Sequence, residues 1–239
     1  MRLIFLALFF SAGAAVADEN AFVEANILSI FYHELGHALI DIEELPVFGQ
    51  EEDASDVLSI LLIDAFWEAA AAETFAREAA NGFWAEAAFR DGAGETIAWW
   101  AVHSPDERRF YNTVCLFYGA DPHVRRNFAK EMGLPDERAE TCEDEYDLAI
   151  SSWGTVLDEM ADRGGGSSFR YEGGVESLTE RLIEAEVRSL NSEFQLAGDL
   201  TITIESCGEA NAFYDPATAE VVMCEEMEDH LTNLVELLE

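Results

Sequence analysis

The chain has 239 residues, 49% of them hydrophobic, with only 5 prolines and 16 glycines. That is enough to bury a core in one domain, and it excludes collagen-like, low-complexity and wholly disordered organisations. Charge is the outlier: 49 acidic residues stand against 13 basic ones, a net −36, which excludes a nucleic-acid partner or an anionic membrane surface and predicts a heavily solvated acidic exterior.

Met1-Arg2, the apolar run Leu3 to Phe10 and the small residues ending in Ala15-Val16-Ala17 have the layout of a secretory signal peptide, residues 1–17. The run is too short for a membrane span, and no later segment is apolar enough to be one. An exported chain, periplasmic or secreted, is expected, with residues 18–239 as a single domain. Asn20 to about Ile42 reads as a helix, ended by Leu45-Pro46-Val47-Phe48-Gly49. A second helix is expected from Glu51 through the alanine-rich stretch towards Phe89, and its acidic first turn suits the positive end of the helix dipole. Helical patterns return at Glu95–His103, Glu107–Tyr118, Pro122–Met132 and Glu137–Met160. Residues 163–168 read as an internal linker and Val175–Leu196 as a further helix. Residues 199–224 differ: Leu200–Ile204 alternates like a half-buried strand, and Asn211–Tyr214 with Glu220–Cys224 reads as a β-hairpin. The expected class is α+β, mainly helical.

Four cysteines fall into two neighbouring pairs in compositionally different regions, which favours Cys115–Cys142 and Cys207–Cys224. None has the close spacing of a zinc knuckle, and an exported chain makes disulfides the default.

The chemistry concentrates at residues 33–56. His33-Glu34-Leu35-Gly36-His37 is an H-E-x-x-H motif inside an expected helix. Residues four apart share a helical face, so both imidazoles reach one metal ion, and Glu34 beside them serves as general base. This spacing predicts one zinc ion per chain with an open position for water. A third ligand is needed. A metzincin-type continuation would require glycine at position 40, where this chain has Ile, so Glu43 is not expected to bind. The Pro46/Gly49 turn instead returns Glu51, Glu52, Asp53 and Asp56 towards the first helix. Glu52 and Asp56 share a face, with Glu52 favoured on the metal and Asp56 behind a histidine N–H. Glu51 is the rival ligand, and the carboxylates left over are read as helix-terminus charge.

The pattern H-E-L-G-H, a turn, then Glu52-Asp53-Ala54-Ser55-Asp56 is similar to the gluzincin type of zinc peptidase, with Ser55 where a small alanine usually stands. More closely, His33–Asp56, Arg109-Phe110-Tyr111-Asn112 and Cys207-Gly208-Glu209-Ala210-Asn211-Ala212-Phe213-Tyr214-Asp215-Pro216 resemble a domain-of-unknown-function family of exported bacterial metallopeptidase-like proteins. The resemblance implies a zincin-like peptidase fold and adds little about substrate; a peptide or protein substrate is expected from the peptidase reading. Zincins usually place a sheet before the active-site helix. Here the only β signal lies at the far end of the chain, so the C-terminal segment is expected to fold back beside that helix.

His103, Tyr111 and Tyr214 are candidates for stabilising a tetrahedral oxyanion. No serine has nucleophile context, and no glycine-rich phosphate loop follows a strand. Two readings stand: a zinc-dependent peptidase, or an exported non-catalytic protein that holds zinc or a partner. Oligomeric state is not encoded in any of these features.

Overall fold

The computed structural model describes residues 16–174 and 176–238, so residues 1–15 of the expected signal peptide lie outside the described residues. The first helix, α1 (Val16–Ile42), runs through the centre of the molecule. Phe22, Val23, Ala25, Ile27, Leu28, Phe31, Tyr32, Leu35, Ala38 and Leu39 are all buried, which covers its circumference rather than one stripe. A helix apolar on every side must be surrounded. After it, the amides of Glu43, Glu44 and Leu45 bond back to the carbonyls of Leu39, Asp41 and Ile40, and Glu44 takes a left-handed turn conformation (φ 53°). The chain then returns as α2 (Glu51–Phe66), antiparallel to α1. Ser29 meets Ser59, His33 meets Asp56 and Gly36 meets Ser55 along the pair. A β-carbon at Gly36 would stand 2.8 Å from the Cα of Ser55, so glycine is what lets the two helices touch there.

The expected second helix is broken. Trp67 and Glu68 are extended, with ψ of 145° and 143°, and α3 (Ala69–Gly92) starts afresh. Trp67 tucks its ring against Phe75, 4.3 Å between centroids. Nothing local marks the break, because the alanine run has high helix propensity throughout. The bend lets α3, with Ala72, Ala76, Ala79 and Ala80 buried, pack on α1.

Residues 95–103, expected as a helix, are irregular, with a turn only at Trp99-Trp100 and a bend after it; Trp99, Trp100 and Val102 are exposed there and find no face to bury. Helix α4 (Asp106–Gly119) follows Pro105. Helix α5 (Arg126–Glu131) is shorter than expected, because the Asp121 carboxylate accepts the His123 and Val124 amides and holds a turn ahead of it. The long helix expected from Glu137 is two, α6 (Asp136–Ala139) and α7 (Cys142–Asp162). The break falls where Cys142 is bonded to Cys115 and where Gly119 packs against the Cys142 carbonyl.

Strand β1 (Phe169–Glu172) is absent from the sequence reading. It has four residues and is defined by pairing with β2 (Leu200–Glu205) across α8 (Leu178–Glu193), a non-local signal. The hairpin strands β3 (Ala212–Asp215) and β4 (Glu220–Cys224) complete a sheet of order β1-β2-β4-β3. β1, β2 and β4 are parallel, and β3 is antiparallel to β4 at the sheet's edge. A second disulfide, Cys207–Cys224, ties the loop after β2 to the end of β4. The last helix, α9 (Glu226–Val235), packs on α1 and α3. Edge strand β3 lies against α1, and the Tyr214 hydroxyl donates to Asp41 at 2.7 Å, so the C-terminal segment does fold back beside the first helix. Among the described residues no helix is long and apolar enough to cross a membrane.

Candidate metal centre

Four polar side chains interrupt the apolar circumference of α1: Asn26, Ser29, His33 and Glu34 are buried. Buried polar groups need partners. Asn26 donates to the carbonyls of Phe22 and Glu78, and Ser29 pairs with Ser59. His33 and Glu34 face a cleft of about 1050 Å³, bounded by α1, α2, α3, α4, α9, β3 and the 93–105 segment.

Three ligand atoms converge in it. His33 Nε2, His37 Nε2 and Glu52 Oε2 are each 3.2 Å from the other two. The opposite ring nitrogens are also occupied: His33 Nδ1 lies 2.8 Å from Asp56 and His37 Nδ1 2.7 Å from Glu51. In neutral rings those Nδ1 atoms donate to the carboxylates, which turns both Nε2 lone pairs inward. Two lone pairs and a carboxylate oxygen then meet, a set of acceptors that a divalent cation satisfies. Zinc with ligands at its usual distances holds neighbouring ligand atoms roughly 3.3 Å apart, so the donors fit it in kind and in spacing. His103 adds a fourth nitrogen, its Nε2 2.8 Å from Glu52 Oε2 and within 4.8 Å of His33.

The electrostatics state the same demand for positive charge. Burial opposes charging of His33, yet its hydrogen bonds with Asp56 and Glu52 hold its pKa up at about 9. The His33 hydrogen bond draws Glu52 down to about 2 despite desolvation. Asp56 is deeply buried, which would raise it, but Arg109 and His33 keep it well below the usual carboxylate range. Burial pushes Glu34 up, with His33 and His37 pulling partly the other way. Desolvation pushes His103 below its ordinary value.

Behind the donors stands a residue without an assigned role in the sequence reading. Arg109 of α4 grips Asp56 at both oxygens, Nε to Oδ2 at 2.8 Å and Nη2 to Oδ1 at 2.7 Å, and its guanidinium lies 4.1 Å over the ring of Phe83. Its one local signal is position: it shares a helical face with buried Thr113, an unusual place for one of so few cations. Glu51, the rival ligand in sequence, sits behind His37 as Asp56 sits behind His33. Only Asp53 of the four carboxylates turns away, to Ser104 and Arg108. Glu43, set aside as a ligand, pairs with Arg163. Of the three oxyanion candidates, His103 and Tyr214 line the cleft, and Tyr111 packs against Phe110 outside it.

A model of a domain-of-unknown-function family described as "Putative metallopeptidase" matches residues 6–157 and 172–237, and the chain belongs to that family. No curated protein and no solved structure matches it.

Proposed function

With that family membership as premise, we propose that this chain is an exported zinc-dependent peptidase. The observation that carries the reading is the meeting of His33, His37 and Glu52 at 3.2 Å, beside a buried glutamate and within an open cleft. His33, His37 and Glu52 hold one zinc ion. When bound, zinc supplies a Lewis acid that polarises a carbonyl and lowers the pKa of water towards 7.

The protein's own groups do the rest. Asp56 and Glu51 fix the histidine tautomers and ring orientations, and Arg109 anchors Asp56. Glu34 takes a proton from the attacking water and passes it to the leaving amine; burial raises its pKa towards the range where such a shuttle works. His103, facing the cleft, donates to the oxygen that gains charge. An extended substrate adds to the edge of β3, and its bulky side chains meet apolar cleft-lining residues that include Ile30, Phe83, Met227 and Leu231. Two disulfides suit an oxidising compartment, in keeping with the signal-peptide layout at residues 1–17.

One observation favours a non-catalytic alternative. With His103 only 2.8 Å from Glu52, a fourth protein ligand would close the site and make the metal structural. Glu34→Gln separates the two readings. Zinc content should stay at one per chain while cleavage of a peptide library falls by about 10²–10⁴-fold. A wild type that binds zinc and cleaves nothing, with zinc lost in His103→Ala, would establish the closed site instead.

A further inference from the structure

Two loops rim the mouth of the cleft, and both leave large apolar side chains in water. Phe48, on the 43–50 turn, is 98% exposed; Trp99, Trp100 and Val102, on the 93–105 segment, are 76%, 85% and 64% exposed. The loops adjoin: Gln50, Trp99 and His103 line one shallow depression, and Gln50, Val102 and His103 also line the main cleft. Large apolar side chains left exposed on adjoining loops mark a candidate interaction surface.

Charge says which partner fits it. Asp41, Glu44 and Glu51 line the same mouth. Among the described residues, no lysine or arginine lies within ion-pair distance of any of the three. Arg109 is the one lysine or arginine among the cleft-lining residues, and Asp56 holds it at both oxygens. The mouth therefore joins exposed indole rings to carboxylates that have no lysine or arginine partner, on a chain of net charge −36. Indole faces accept both aliphatic and cationic side chains, while an acidic segment or an anionic bilayer is repelled. We propose that this rim docks cationic, apolar-rich polypeptides and presents them to the metal centre, the tryptophans holding side chains and Asp41 and Glu44 holding positive charge. The inference rests on the peptidase reading and names its substrate class.

The test measures binding rather than turnover. Full-length, zinc-loaded Glu34→Gln protein is titrated with a fluorescein-labelled leucine–lysine peptide, with its leucine–glutamate counterpart, and with phosphatidylcholine vesicles. The lysine peptide should bind. Its affinity should fall about tenfold or more when Trp99→Ala and Trp100→Ala are added, as for loss of aromatic anchors. It should also weaken as salt rises from about 0.01 M to 0.1 M, which shortens the Debye length from roughly 30 Å to 10 Å. Both rings stand in solvent, so circular dichroism and zinc content should not change in that variant. Equal binding of the glutamate peptide, undiminished binding by the tryptophan variant, or binding of vesicles in place of the lysine peptide would each overturn the proposal. The two readings fail separately. Tryptophan-dependent binding without cleavage by the wild type would remove the peptidase and keep the docking surface. Cleavage indifferent to substrate charge would do the reverse.

Discussion

The contact between Gly36 and Ser55 makes a prediction in which two opposing effects can be weighed. In Gly36→Ala the new methyl would lie 2.8 Å from Ser55 Cα and 2.9 Å from its Cβ and Oγ, where ordinary contact begins at 3.4 Å. The nearest obstacle is backbone and cannot swing aside, so α1 and α2 must part by roughly 0.6 Å. Overpacking of this kind costs about 1–3 kcal/mol. Alanine returns about 1 kcal/mol through its higher helix propensity. Net stability should therefore fall by only about 0–2 kcal/mol in urea denaturation. The metal site should respond more strongly. His33 and His37 flank Gly36, Glu52 and Asp56 flank Ser55, and a shift of that size exceeds the roughly 0.5 Å within which such a constellation must be held. Zinc affinity, measured by competition with a chromogenic chelator, should drop at least about tenfold, the scale seen when an outer partner of a ligand is removed. Gly49→Ala is the control, since an added β-carbon there meets nothing within 4 Å. A Gly36→Ala protein that binds zinc as tightly as the wild type would refute the reasoning, whatever its stability.

Asp56→Asn keeps the volume but removes the charge that Arg109 and His33 share; zinc affinity should fall about 10–100-fold and stability by up to about 3–5 kcal/mol, read by chelator competition and urea melts, and wild-type values in both would contradict the anchoring role. Replacing Cys207 and Cys224 together by serine opens a loop of sequence separation 17; unfolding free energy should drop by about 3 kcal/mol, and an unchanged denaturation midpoint would show that the bond does not constrain the unfolded chain. Glu186 on α8 is buried near Tyr32, and desolvation pushes its pKa from 4.5 up to about 7. As pH rises from 4.5 to 7 the unfolded chain releases a proton that the folded protein keeps, so this group costs stability on the order of 3 kcal/mol above pH 7 and little below 4.5. Glu186→Gln should be the more stable protein at about pH 8 and lose most of that advantage by about pH 4.5; a difference independent of pH would disprove the assignment.

What could be read in advance follows the range of the forces involved. His33, Glu34 and His37 are legible because a helix fixes their relation within one turn. Glu52 and Asp56 are nearly so, because a short turn forces the next helix back along the first. The same logic left Glu51 undecided, since helical spacing does not tell which ring nitrogen a carboxylate meets. Arg109 and His103 reach the site from other segments: His103 is one of three oxyanion candidates that the sequence cannot rank, and only the packing of α4 gives Arg109 its place beside Asp56. The break at Trp67 and the strand at 169–172 were illegible for the same reason. One depends on Trp67 finding Phe75, the other on a strand some thirty positions away.

The site draws on opposite ends of the chain: the ligands lie in the first quarter, while the bond between Tyr214 and Asp41 spans 173 positions. A polypeptide growing from its N-terminus thus acquires the histidines and Glu52 long before the wall that faces them. A local helical hairpin forms quickly, whereas closing so long a loop is slow. On the peptidase reading, a partly synthesised chain would hold the ligand set yet lack the groove wall that the substrate needs. On that reading, the order of biosynthesis would keep the chain inactive until the last strands dock.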